Sequence, residues 1–268
     1  MMTMLNIENV SKTFGAGTPL ETQVLINLSL TLPKGDYVTI IGGNGAGKST
    51  LMNIVAGTHL PDGGKISIDG NDVTNLQEYK RAKYIGRVFQ DPMIGSAASM
   101  NIEENLALAF RRGKRRALFS WYISNKERAL YRERLADLEL GLENRLADKV
   151  GLLSGGQRQA LSLMMATLQE PNVLLLDEHT AALDPKTAPK VLEIGNKIIE
   201  KYKLTTLMVT HNMKDAIRHG NRLIMMKDGG IVLDISGEEK RNITVAQLVA
   251  KFSEASGEEF SDDQALLG

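Results

Sequence analysis

Eight residues limit the possible folds of this chain more than any others: Gly42-Gly43-Asn44-Gly45-Ala46-Gly47-Lys48-Ser49. They follow the apolar run Tyr37-Val38-Thr39-Ile40-Ile41 and open a stretch, Lys48 to Ala56, that reads as a buried helix. The run fits G-x-x-x-x-G-K-[ST] in the order strand, turn, helix that gives this pattern its meaning. Glycines let the backbone curl so that successive N–H groups point inward at phosphate oxygens, and the helix N-terminus adds its partial positive charge. On this reading the turn from Gly42 to Thr50 cradles the phosphates of a nucleoside triphosphate, Lys48 pairs with the β- and γ-phosphates, and the Ser49 hydroxyl ligates Mg²⁺. A glycine turn that merely caps a helix does not need this full spacing. Strand, phosphate loop and helix together are the start of a βαβ unit.

The rest of the chain fits around that unit. Strand-like segments at Leu5 to Val10, Val24 to Leu32, Lys65 to Asp69 and Ala82 to Phe89 are separated by the breakers Gly15, Gly17, Pro19 and Pro61-Asp62-Gly63-Gly64. From about residue 93 to 170 the chain is charged and helical in pattern, which predicts a helical lobe inserted into an α/β core. Val173 to Leu176, Thr205 to Thr210 and Leu223 to Met226 then read as buried parallel strands, with a helical face at Val191, Leu192, Ile194, Ile198, Ile199 and Tyr202 between the first two. Residues 1–252 are expected to form one such unit. Residues 253–268, with five acidic groups and no basic one, are expected to be a flexible tail.

A second glycine motif narrows the class. Leu153-Ser154-Gly155-Gly156-Gln157 precedes a mostly apolar helix, and serine with two glycines at a helix start makes another anion-binding terminus. One nucleotide has no use for two such termini from one chain on the same phosphates, unless a second molecule supplies one of them. With this pentapeptide the chain resembles the ATP-binding cassette family, over residues 4 to 235 or so.

The resemblance implies a fold and a set of roles. The fold is a P-loop NTPase of ABC type: a RecA-like mixed sheet, an N-terminal antiparallel β subdomain and an inserted helical subdomain. In Val173-Leu174-Leu175-Leu176-Asp177-Glu178, Asp177 would hold Mg²⁺ and Glu178 would act as general base on the attacking water. Gln90, in Val88-Phe89-Gln90-Asp91-Pro92, matches the Q-loop glutamine that touches metal and water, Asp184 the D-loop aspartate at a dimer interface, and His211 the switch histidine on the γ-phosphate. Phe14 holds the position that stacks on adenine in that family, the lesser alternative being packing within its strand layer. Ser154, Gly155, Gly156 and Gln157 would contact the nucleotide of a second copy. Two departures stand out: His179 follows Glu178 where the family often has proline, and Thr180-Ala181-Ala182 lacks the serine and glycine frequently found there.

Composition bears on partners. The 32 basic and 32 acidic residues cancel, which disfavours nucleic acid as a partner. The absence of cysteine rules out disulfides and thiolate metal sites. The longest apolar run, Leu106 to Phe110, is five residues, against roughly 20 for a membrane span, and the start carries no secretory pattern. The resemblance therefore implies a homodimeric ATPase, peripheral on the cytoplasmic face of the membrane through separate permease subunits. Its subfamily likeness is to cassettes of aromatic or branched-chain amino-acid import, served by an extracytoplasmic solute-binding protein. A non-transport membrane ATPase of the cell-division or sensor type is the alternative. Arg111, Arg112, Lys114, Arg115 and Arg116, followed by Trp121, read either as a solvated helix face or as a contact with partner or lipid headgroups.

Overall fold

The structure is a computed structural model and describes residues 2–113 and 122–256. The chain divides into two compact units, one formed by Met1–Arg81 with Leu204–Gly268 and the other by Ala82–Lys203.

The first unit opens with β1 (Thr3–Phe14), β2 (Thr22–Pro33), β3 (Tyr37–Gly42), α1 (Lys48–Ala56), β4 (Gly63–Ile68), β5 (Asn71–Asp72) and α2 (Glu78–Arg81). Strands β2, β1, β4 and β5 form an antiparallel sheet in that order. Its inner face is made by alternate residues such as Leu5 and Ile7 on β1 and Leu28, Leu30 and Leu32 on β2, all buried. By contrast, β3 is buried at all six positions, as expected for a strand covered on both faces. Burying each of Ile40 and Ile41 contributes about 2 kcal/mol.

The second unit contains β6 (Ile85–Val88), α3 (Ile102–Phe110), α4 (Asn125–Ala136), α5 (Gly155–Thr167), β7 (Val173–Asp177) and α6 (Ala188–Tyr202). Each of α3, α4 and α5 starts with a closed capping box, at Asn101 with Glu104, Ser124 with Glu127, and Ser154 with Gln157. Strands β6 and β7 run parallel, with Ile85 opposite Val173 and Val88 opposite Leu176.

The first unit resumes with β8 (Thr205–Val209), α7 (Met213–Arg218), β9 (Arg222–Lys227), β10 (Gly230–Ser236), α8 (Gly237–Asn242) and α9 (Val245–Ser256). Here β3 lies parallel to both β8 and β9, and β10 is antiparallel to β9, so the sheet is mixed. Ile41, Met213, Leu223, Met225, Ile235, Leu248 and Phe252 join strands and C-terminal helices in one core.

Two sequence expectations change. The segment read as a flexible tail from residue 253 instead begins as the last turn of α9, because buried Leu248 and Phe252, four apart, tie that helix to the sheet. Residues 257–268 lie outside the described residues. Of the basic cluster, Arg111 is paired with Glu127 at 2.9 Å. Arg112 donates to the Ala166 carbonyl at 3.2 Å, and burial lowers its pKa. These two guanidinium groups are not a solvated face; Lys114, Arg115, Arg116 and Trp121 lie outside the described residues.

Candidate functional site

In the first unit the phosphate loop forms because two glycines sit where no other residue fits. Gly42 ends β3 at φ +153°, and a Cβ there would collide with the Met226 carbonyl. Gly47 adopts φ +96° as the N-cap of α1, where a Cβ would lie 2.8 Å from both the Val24 carbonyl oxygen and Leu25. No side chain caps α1 and no acidic residue occupies its first turn. The N–H groups and partial positive charge of this helix end are thus left for an anion. Lys48 is buried, and its ammonium donates to the Gly42 and Gly43 carbonyls at 2.7 and 3.0 Å, so the cation is already held over the turn. Gly43, Asn44, Gly45 and Ser49 are exposed, whereas Ala46 is buried and Thr50 half-buried.

Two further predicted residues belong to the same unit. Parallel pairing of β3 with β8 sets Ile40 opposite Val209, and the Thr210 N–H donates to the Ile40 carbonyl at 3.1 Å. His211 therefore follows β8 at the end of the sheet where Gly42 turns into the loop, the end at which parallel sheets bind ligands. Phe14 ends β1, half-buried, with the His59 ring edge-on at 5.3 Å between centroids and the Lys12 ammonium 5.6 Å from its own. Lys12 is anchored by Asp62 at 2.6 Å. The hydrogen bond from Lys12, then that from the Thr13 N–H, holds the Asp62 carboxyl below the usual carboxylate range. Neither His59 nor Asp62 carries a signature in sequence, since nothing in the spacing shows that the Pro61-Asp62 turn returns to Phe14.

In the second unit, the parallel pair β6 and β7 brings Gln90, Asp177 and Glu178 to one strand end. Asp177 closes β7 half-buried, and its Oδ2 accepts from Arg87 Nη2 at 2.9 Å. The register puts Arg87 opposite Leu175, on the face that Asp177 shares two residues later. That alternation could have marked Arg87 from sequence once the pairing was known. The Arg87 guanidinium also lies 4.7 Å from the Phe89 ring centroid. Glu178 has φ +46°, a left-handed conformation that costs a non-glycine residue about 1–3 kcal/mol and is concentrated at functional sites.

The signature motif has a different character. The Gln157 N–H donates to Ser154 Oγ at 3.3 Å, and the Ser154 N–H donates back to Gln157 Oε1 at 3.2 Å. This capping box still leaves the Ser154 hydroxyl proton to be donated to an outside acceptor. Gly156 is required by packing, because a Cβ there would strike the Thr187 methyl. The exposed Asp184 accepts from the Thr187 and Lys186 N–H groups at 3.0 and 3.1 Å. Its carboxyl lies below the usual range, chiefly through a hydrogen bond from the Thr187 side chain. Buried His179, where the family often has proline, presents its carbonyl to Gln159 at 2.6 Å.

Among the described residues no group of three or more His, Cys, Asp or Glu is arranged to hold a metal. Ser49 in the first unit and Asp177 in the second each carry a hard oxygen donor, the type that Mg²⁺ takes.

A glycine loop feeding a helix in one unit, with paired carboxylates and a second glycine-led helix in the other, defines a P-loop nucleotide-binding protein. The chain belongs to the ABC transporter family of ATPase cassettes, whose model matches residues 25–181. It is 47% identical over 253 residues to the tyrosine transport ATP-binding protein of Clostridioides difficile (strain R20291), covering 94% of this chain and 100% of that protein. It is 34% identical to the energy-coupling factor transporter ATP-binding protein EcfA2 of Streptococcus pyogenes serotype M5 (strain Manfredo), over 92% of this chain and 85% of that one. Among solved structures, it matches the dimeric post-hydrolysis ATP-binding cassette MJ0796 bound to ADP and Pi with a TM-score of 0.73 at 31% identity, covering 87% of this chain and 98% of that one. The ADP conformation of the cassette MJ1267 matches with a TM-score of 0.75 at 28% identity, over 96% and 99% of the two chains.

The protein is thus an ATP hydrolase and the ATP-binding subunit of an ABC transporter. Cassettes of this family dimerise and work with transmembrane permease subunits. Among the described residues no helix is long and apolar enough to cross a membrane.

Proposed function

We propose that this cassette powers amino-acid import, with tyrosine the first substrate to test, as a homodimer on the cytoplasmic face of a permease supplied by an extracytoplasmic solute-binding protein. The observation that carries this reading is the 47% identity to a tyrosine transport ATP-binding protein along that protein's whole length.

In this reading each nucleotide lies between two copies. Phe14 stacks on adenine, the loop from Gly42 to Thr50 holds the phosphates by its N–H groups, and Lys48 neutralises the β- and γ-phosphates. Ser49 and Asp177, with Gln90 beside them, would hold Mg²⁺, which would supply positive charge against the charge that develops on the phosphates. Glu178 accepts the proton of the attacking water and His211 hydrogen-bonds the γ-phosphate. Ser154, Gly155, Gly156 and Gln157 of the second copy close over the same phosphate, and Asp184 lies at the interface. Loss of the γ-phosphate removes the charge shared by the two copies, so the dimer opens and the permeases move.

The test is uptake of labelled tyrosine by vesicles that hold the cassette together with the permease subunits that co-purify with it, with their solute-binding protein added. ATP-dependent uptake is expected with the unaltered cassette and none with Glu178→Gln, which should instead accumulate as an ATP-bound dimer. Equal uptake by the two would remove Glu178 from the role of base. ATP-dependent uptake of another solute and not of any amino acid would sink the assigned cargo.

A further inference from the structure

We propose that Gln159 is a positioning residue for hydrolysis, because its carboxamide ties the signature helix α5 to the backbone beside Gln90 and beside Glu178. The side chain is fully buried, and its Nε2 donates to the Phe89 carbonyl at 2.9 Å and to the His179 carbonyl at 2.6 Å. Phe89 directly precedes Gln90, and His179 directly follows Glu178. The inference rests on Glu178 being the general base.

The chemistry of the bridge is restrictive. Two carbonyl acceptors on separate segments need two N–H donors converging from one point, and an uncharged carboxamide nitrogen supplies both. A carboxylate supplies neither, and a cation would bring a desolvation cost in so buried a place. Glu178 itself is held at φ +46°, so the chain leaves the extended path of β7 at the very residue that must aim its carboxylate. The turn after Glu178 is closed by the Ala181 N–H on the Glu178 carbonyl at 2.9 Å, and Gln159 adds a second hold one peptide further on, at the His179 carbonyl. The same nitrogen holds the peptide before Gln90, so both groups are set from one atom.

The bridge also has a direction. Gln159 lies five residues after Ser154 on the same helix, a rise of about 7.5 Å. A shift of the α5 start, where the second copy's nucleotide would bind, therefore reaches the Glu178 and Gln90 turns through less than two helical turns of rigid backbone. Gln159 is thus the point at which closure of the dimer sets the base in position.

The experiment compares Gln159→Met, which keeps length and loses the donors, and Gln159→Glu, which keeps shape and offers at most one donor in place of two, with Glu178→Gln. Both Gln159 variants are expected to lower kcat at least tenfold while KM for ATP and binding of a fluorescent ATP analogue stay within twofold. Amide hydrogen exchange should rise in segments 89–91 and 178–181 and not along α5. If kcat stays within twofold and exchange is unchanged while Glu178→Gln is inactive, the tie is overturned and the role of Glu178 stands. If Glu178→Gln hydrolyses ATP normally, the reading of the base itself falls. If nucleotide binding, thermal stability and kcat decline together in both Gln159 variants, Gln159 is a packing residue and the proposal is wrong.

Discussion

Helices α1 and α5 both begin at a glycine-rich turn, yet their first turns are finished in opposite ways. At α1 the cap is Gly47 in a left-handed conformation, no side chain accepts from the first N–H groups, and a buried ammonium is held over the turn. At α5 the cap is Ser154 in an extended conformation, and a reciprocal pair with Gln157 satisfies the end from within. The glycines differ too: Gly47 is demanded by its φ and by the Val24 carbonyl, whereas Gly156 is demanded by the Thr187 methyl. The first terminus leaves its N–H groups and a nearby ammonium open to an anion. The second is stable without a ligand and offers only an outward hydroxyl proton and a close-packed surface, which suits a group that meets a nucleotide already held elsewhere.

Substitutions can break this contrast. Lys48→Ala should have the largest effect, lowering ATP affinity about 100-fold by removing a charge-assisted contact to phosphate, as measured by titration with a fluorescent analogue. An affinity within threefold of the parent would show that the α1 turn does not bind the phosphates as described. Gly156→Ala should destabilise the protein by about 1–3 kcal/mol through overpacking against Thr187, seen in the urea midpoint. Adding Thr187→Ser, which removes the opposing methyl, should restore most of that, and no recovery would mean the collision is not the cause.

Ser154 separates capping from nucleotide contact. Ser154→Ala should cost about 1 kcal/mol of stability, and Ser154→Asp, itself a good cap, less than about 0.5 kcal/mol. Both should lose ATP-driven dimerisation in a Glu178→Gln background, followed by size-exclusion chromatography. Dimerisation by Ser154→Asp would show that the outward proton is not used.

The smallest effect concerns the Lys12–Asp62 pair beside Phe14. Asp62 is depressed in the folded state, so its contribution is present above the ordinary carboxylate range and lost as pH falls through the lowered value. With Asp62 exposed and the pair screened by solvent on that side, it is worth no more than about 1 kcal/mol. Asp62→Asn should lower stability at neutral pH by up to that amount and leave stability in acid, where the carboxyl is already protonated, unchanged, so the acid side of a stability-versus-pH curve flattens slightly; an unaltered curve would remove Asp62 from that balance.

Much of this was legible in sequence where spacing and chemistry coincide. The apolar run before Gly42 and the helix from Lys48 to Ala56 were both plain, and Asp177 is recognisable because a central strand ends on a carboxylate. What stayed hidden depends on partners far along the chain. Arg87 carries no signal of its own in sequence; the β6–β7 register sets it on the face of Asp177. Gln159 has none either, since its role depends on Phe89 and His179 being brought to it by the fold. The end of α9 is hidden because the acidic composition after residue 253 outweighs the four-residue spacing of Leu248 and Phe252.

The far end of α1 carries one more consequence. Arg81 is completely buried and donates to the carbonyls of Ile54, Val55, Thr74 and Leu76 at 2.6 to 3.0 Å. Two of these acceptors, Ile54 and Val55, lie in the last turn of α1, the helix that opens at the Gly47 turn. Only a planar fork with several fixed donors can satisfy that set, so lysine is no conservative replacement. In a survey of natural or laboratory variants, position 81 should therefore be as intolerant as the loop glycines, even though its residue type reads as an interchangeable surface cation.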